Sequence, residues 1–367
     1  MDALYIHIPF CDHICSYCDF AKEIASAEKK THYMAMLKRE ILSHKGEFFN
    51  VRSVFIGGGT PSLLSPAMLD NLKDALSEAG IHDLEDFSIE ANPKDITPEI
   101  AKAFKAIGIT RVSLGVQSFN PKHLKLLNRK HDEAIARSAV SALIDAGIEN
   151  INADMLFGIP GQTALELRED LDKVTRLPLR HISYYSVIIE AKTPLEKWIR
   201  NGTIEAVDES LEGEMYDLVR STLKAKGFRH YEISNFAKPG FESLHNTMVW
   251  RSEDYLGLGA GAHSKWRGER FYNVRSIKRY IERMEEDGSP IASHYPFEPV
   301  RDYLLMGLRL TEGVSLDAFE QRFGSSLFTH YPELREDLEK GLLEIRNGHL
   351  RFTERGLALG NTVFMKL

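Results

Sequence analysis

The chain has 367 residues, 43% hydrophobic and 27% charged, with a net charge of −7; this balance is that of a globular protein with a large core and argues against general nucleic-acid binding, which needs a basic excess. No apolar run approaches bilayer-spanning length, and "MDALYIHIPF" is too short and wrongly flanked for a signal peptide. All three cysteines fall within residues 11–18, so a secreted disulfide framework is not expected and a reducing cytoplasm is.

Apolar runs at 4–8, 53–58, 86–91, 111–118, 150–158 and 181–188 read as strands. Helical patterns at 33–45, 66–80, 98–108, 132–147 and 163–177 lie between them, several ending at Gly80, Gly108 or Gly147, the expected capping glycine. Strand–helix alternation of this kind builds parallel βα units, in a doubly wound sheet or an incomplete barrel. The regularity ends near residue 190, where a less regular segment begins. It contains helices at 208–226 and about 275–287, a loop-rich stretch at 240–266, and a linker-like 288–299. The last part of the chain reads as a small unit of helix, helix, hairpin at "LEIRNGHLRFT" and closing helix, a winged-helix pattern. Its mixed charge gives no support to DNA binding. The expected division is 1–190, 191–295 and 296–367.

The cysteines follow the first strand with the spacing C-x3-C-x2-C: Cys11, Cys15 and Cys18. Thiolates select zinc, Cu(I) or iron–sulfur chemistry. A structural zinc needs a fourth ligand, which His7, His13 or Asp19 could supply. A cubane cluster with three cysteines keeps one iron open for a small chelating ligand. The plainest alternative is three cysteines serving only packing. "FIGGGTP" ends the second strand with three consecutive glycines, which permit close backbone approach; without a following Gly-Lys-Ser/Thr it is no phosphate loop. Glu90, Gln117 and Asp154 close or occupy later strands, and Arg129 follows the fourth. Carboxylates inside apolar strands need partners, so Glu90 and Asp154 are expected to meet cations or hydroxyls.

This constellation resembles the radical S-adenosylmethionine (SAM) enzymes. The resemblance implies an incomplete (β/α)6 barrel over the first half. It also implies a 4Fe-4S cluster on Cys11, Cys15 and Cys18, with SAM on the open iron, and places the aromatic Tyr17 near them. The strings "YIHIPFC", "IGGGTPSLL", "EANP", "SLGVQSF", "LNRKH" and "DMLFGIPGQT" narrow it to the family of oxygen-independent coproporphyrinogen III oxidases of porphyrin biosynthesis and their haem-chaperone relatives. The likeness extends through the C-terminal helical unit. By it, Tyr5, Gly58, Gly59, Thr60, Glu90, Gln117, Arg129 and Asp154 contact SAM.

Two features separate oxidase from chaperone. The oxidase pattern carries a further cysteine two places after the third, where this chain has Phe20. It also carries a longer segment before its first strand, which here begins at residue 4. The chaperones have an H-N-x-x-Y-W string; "HNTMVW" matches at His245, Asn246 and Trp250, with Val249 in place of tyrosine. A lone histidine is more often a satisfied core or surface residue, but a neutral imidazole also binds haem iron. His245 is the first candidate and His263 the second. "GLGAGAH" (257–263) has dinucleotide-like spacing but lacks the expected strand before and helix after it, and reads as a close-packed turn.

The reading is therefore a cytoplasmic haem chaperone that passes haem to an acceptor haem protein, with oxidase activity as the alternative. No catalytic residue is assigned. The expected partners leave room for a homodimer and for brief contact with a membrane-bound acceptor, and include no nucleic acid.

Overall fold

The computed structural model describes residues 1–48 and 50–367. Six strands, β1 (Ala3–Ile8), β2 (Ser53–Gly58), β3 (Asp86–Ala91), β4 (Arg111–Gln117), β5 (Asn150–Phe157) and β6 (His181–Ser186), pair in parallel in chain order. The helices Ala27–Ser43, Pro66–Glu78, Pro98–Ile107, Glu133–Asp145 and Ala164–Thr175 connect them. Each of these helices starts on a side-chain cap, from Ser26, Ser65, Thr97, Asp132 and Thr163. The first helix begins at Ala27, well before the expected residue 33, because Ser26 caps Lys29 and the polar first turns carry no apolar period. Gly108 is a C-cap, whereas Gly80 and Gly147 come one residue after the caps Ala79 and Ala146.

The strands alternate by the two-residue pleat. Val112, Leu114 and Val116 are buried in the main core, while Ser113, Gly115 and Gln117 of the same strand line a cavity on the other face. Polar residues thus occupy the inside of the curved sheet, and aliphatic ones its helix-covered outside.

Later segments extend both edges of this sheet. β7 (Arg229–Glu232) and β8 (Asn235–Ala237) continue it antiparallel from β6. β9 (Tyr255–Leu258) pairs parallel with β1, and β10 (His263–Trp266), β11 (Glu269–Asn273) and β12 (Ile291–Tyr295) follow antiparallel, giving twelve strands in one sheet. Three expectations change here. The stretch 240–266 holds the helix Leu244–Trp250 and two strands, 288–299 holds β12, and a strand does precede "GLGAGAH". Strands of four or five residues are too short to show a long apolar run, so they read as loop. The glycine turn nevertheless joins strand to strand, not strand to helix. A Cβ on Gly257 would overlap the His263 carbonyl. Gly259 donates its N–H to the buried Glu40 at 2.8 Å, which also accepts from Tyr280 at 2.5 Å and Asn273 at 2.7 Å. Burial raises the Glu40 pKa, and those donors oppose the rise.

The C-terminal unit runs helix (Pro299–Gly307), β13 (Val314–Ser315), three short helices, the β14 (Leu343–Arg346)–β15 (His349–Phe352) hairpin and two closing helices. That is the winged-helix order, around its own core of Leu304, Leu308, Phe319, Leu334, Leu350 and Phe352. Asn347 and Gly348 both have positive φ, as a two-residue hairpin turn requires. The unit docks through Asp302, which takes Arg270, and accepts from Ser252 at 2.9 Å. Among the described residues no helix is long and apolar enough to cross a membrane.

Candidate functional site

A cavity of about 460 Å³ opens at the C-terminal ends of β1 to β6. Cys11, Cys15 and Cys18, on the loop after β1, all line it as free thiols. The loop is held from across the sheet. Asn128 donates to the Ile14 carbonyl at 2.7 Å, and Ser16 Oγ donates to the Leu126 carbonyl at 2.7 Å. Thr60 Oγ1 lies 3.5 Å from Cys11 Sγ, and Arg129 Nη1 lies 3.4 Å from Cys15 Sγ. Burial raises the Cys11 and Cys18 pKa values. At Cys15 burial acts the same way, but His13 and Arg129 outweigh it and bring the thiol down to about 7. That thiol is half-ionised at neutral pH, the form that binds metal.

Seven of the eight expected SAM residues line this cavity: Gly58, Gly59, Thr60, Glu90, Gln117, Arg129 and Asp154. Tyr5 does not; its side chain lies on a neighbouring cavity, with its hydroxyl 2.9 Å from His7 Nδ1. The glycines have a reason of their own. Gly58 has φ +118°, and a Cβ there would come within 2.5 Å of the His7 ring; a Cβ on Gly59 would lie 2.7 Å from the Phe10 carbonyl. Close packing of β2 against β1 therefore demands them before any ligand does. Gln117, at a register shift between β4 and β5, also has a positive φ of 67°, the strained kind of backbone that clusters at functional sites.

Asp154 finds the hydroxyl partner expected of it: Ser113 donates at 2.7 Å and Asn152 at 2.8 Å. Glu90 does not find a cation. It accepts the Gly58 N–H at 2.9 Å, and among the described residues no lysine or arginine pairs with it. Burial, then the nearby Asp154, push its pKa to about 8. Arg129 binds the Asn92 side chain at 2.6 Å and the Gly115 carbonyl, and its Nε is buried without a partner. Among the described residues the buried Glu90 has no lysine or arginine and the buried Arg129, beside the Cys15 thiol, has no carboxylate; together on one cavity they fit a zwitterionic ligand such as an amino-acid headgroup. Among the described residues no three His, Cys, Asp or Glu side chains converge to hold a single metal ion. Three thiols around a cavity of this size suit a ligand with volume of its own. Sequence reasoning missed Asn92, Ser113 and Asn152; the polar alternation inside β4 and β5 was the signal for the last two.

A second cavity of about 570 Å³ adjoins the first. Asp19, Phe20, Gly58, Glu90 and Tyr185 line both. Phe20, 64% exposed, stands at this shared wall. The helix Leu244–Trp250 packs on β1 and β2 and brings His245, Asn246, Val249 and Trp250 to the second cavity, facing Tyr5, Phe55, Tyr255 and His263. His245 is 6% exposed, with Nδ1 3.2 Å from Ser53 Oγ and its ring 5.2 Å from Phe55. Burial drives its pKa to about 4, so it is neutral. Trp250 offers less than a free face: Arg309 stacks on its ring at 4.4 Å, and its Nε1 is buried without a partner. His263 is exposed, and burial together with Arg275 and Arg270 lowers its pKa. Arg275, absent from the sequence reading, lines this cavity and donates to the Asp19 carbonyl at 2.5 Å.

Thiols on the loop after β1 and charged strand ends on a parallel αβ sheet define a class. Residues 5–174 match the model of the radical SAM superfamily, and residues 297–359 that of the HemN C-terminal domain. The chain is similar over its length to proteins named heme chaperone HemW. That of Bacillus subtilis is 38% identical over 99% of this chain and 98% of its own, and that of Lactococcus lactis 36% identical over 100% and 97%. The solved structure of Escherichia coli coproporphyrinogen III oxidase (HemN) superposes with a TM-score of 0.86 at 23% identity, covering 100% of this chain and 89% of that one; it shares the fold. The chain belongs to the HemN-like family of radical SAM proteins, on its HemW branch.

Proposed function

We propose that this protein is a haem chaperone that holds a 4Fe-4S cluster and SAM in the first cavity and haem in the second, and hands the haem to an acceptor protein. The observation that carries it is the contiguity of the two cavities, with the "HNTMVW" helix forming a wall of the second. The names of the HemW relatives support the same reading.

In the first cavity Cys11, Cys15 and Cys18 supply the thiolates. Glu90 takes the SAM ammonium, Arg129 its carboxylate, and Asp154 and Gln117 its hydroxyls, while Thr60, Gly58 and Gly59 shape the approach. Tyr5, which lines the second cavity with its hydroxyl on His7, is given no SAM contact. When bound, the cluster and SAM supply one-electron chemistry. In the second cavity His245 and Trp250 form the haem wall. Haem transfer is binding chemistry and asks for no catalytic residue of this chain.

The chain is proposed to act in the reducing cytoplasm, where its three free thiols stay available. Its proposed organisation is a site-bearing region at 1–190, an extension at 191–295 that adds strands to both sheet edges, and a docking unit at 296–367. The acceptor, a homodimer and contact with a membrane-bound partner are left to binding experiments. The test is anaerobic reconstitution followed by parallel haem titration and coproporphyrinogen turnover. Saturable haem binding without protoporphyrinogen formation is expected. Protoporphyrinogen formed with SAM consumption would make the protein an oxidase instead.

A further inference from the structure

We propose that haem iron in the second cavity is bound by Nε2 of His263, not by His245, and that Arg275 receives a haem carboxylate. The proposal rests on the haem reading above and assigns its contacts.

Three histidines line this cavity: His7, His245 and His263. His7 has both ring nitrogens engaged, Nδ1 by Tyr5 at 2.9 Å and Nε2 by the Ala21 carbonyl at 2.7 Å. His245 is sunk between strands: Ser53 meets Nδ1, Phe55 covers the ring, and Asp86 accepts its backbone N–H at 3.3 Å. Only 6% of the residue is exposed, which leaves a macrocycle little room to approach its Nε2. His263 is held in a similar way but differs in exposure. It is exposed on β10, its ring stacks on Tyr272 at 5.3 Å and 20°, and Nδ1 lies 3.0 Å from the Tyr295 hydroxyl. One nitrogen is held and the ring plane is set, which leaves Nε2 for a metal; this is how protein-held imidazole ligands are oriented.

The rest of the cavity suits the remainder of haem. Tyr5, Phe55, Val249 and Trp250 offer apolar and aromatic surface for the ring. Arg275 enters no ion pair among the described residues; its guanidinium donates to the Asp19 carbonyl and keeps donors for a carboxylate. Because Asp19 follows Cys18 on the cysteine loop, the carboxylate anchor and the first cavity touch the same backbone.

The test is a ferric-haem titration of the full chain, read by Soret position and by the spin state in electron paramagnetic resonance. For His263→Ala the wild-type ligation signature disappears, affinity falls by at least about tenfold, and added imidazole restores the signature. His245→Ala keeps the signature with weaker binding. Arg275→Gln weakens haem but not haem dimethyl ester. A wild-type signature retained in His263→Ala and lost in His245→Ala overturns the assignment while leaving the haem reading intact. No saturable haem binding by the wild type overturns both. Unchanged cluster loading and circular dichroism establish that the variants fold.

Discussion

The first cavity is marked by its reactive groups: three thiols, a carboxylate with no lysine or arginine and a guanidinium with no carboxylate among the described residues. The second, next to it, is lined by six aromatic rings, and burial lowers the pKa of each of its histidines. The first is assembled from the βα repeat and the loops next to it, the second about half from that repeat and half from segments that follow it. The difference lies in the groups on the wall, thiols and an unmatched carboxylate and guanidinium in the first, aromatic rings and imidazoles in the second. Five residues line both walls.

The largest expected effect breaks one side only. Cys15→Ala should take cluster iron and sulfide to background after reconstitution while the haem titration of the second cavity changes little. A haem affinity that collapses in parallel would show that the two sites are a single one. Gly58→Ala should damage both, because its Cβ meets the His7 ring and its φ is +118°. Strain and overpacking together should cost roughly 2–5 kcal/mol in denaturant unfolding.

A subtler effect is confined to the first cavity. Glu90, with its pKa at about 8, is mostly protonated at pH 7. A cationic headgroup binds the ionised form, so SAM affinity should rise with pH, by about fivefold between pH 7 and 8. Glu90→Gln should flatten that profile in calorimetry, and a wild-type profile that is already flat would remove Glu90 as the ammonium partner. The smallest effect concerns the second cavity. Arg309→Met removes the contact 4.4 Å from the Trp250 ring, which should lower stability by about 0.5–1 kcal/mol. Haem affinity should change by less than about threefold; a larger loss would place the ring of haem on the Arg309 side.

Much of the first cavity was legible because its signals are local. Cysteine spacing, glycine runs and polar residues at strand ends recur within each βα unit. The second cavity was legible only as a string, "HNTMVW", without its setting. His245 was the first ligand candidate in the sequence, and its contacts with Ser53 and Phe55 of β2 were not readable there. Phe20 distinguished two families by the cysteine it replaces, yet its place on a wall between two cavities could not be inferred from that.

By itself the sequence determined the parallel βα core, the three-thiol loop and the carboxylates within the strands, since pleat alternation and motif spacing are properties of short stretches. Tertiary structure alone decided which residues share a cavity. Arg275 meets Asp19 across 256 positions, and His245 meets Ser53 across 192. Contacts at that separation depend on which sheet edge the later strands join, and no local periodicity encodes that choice.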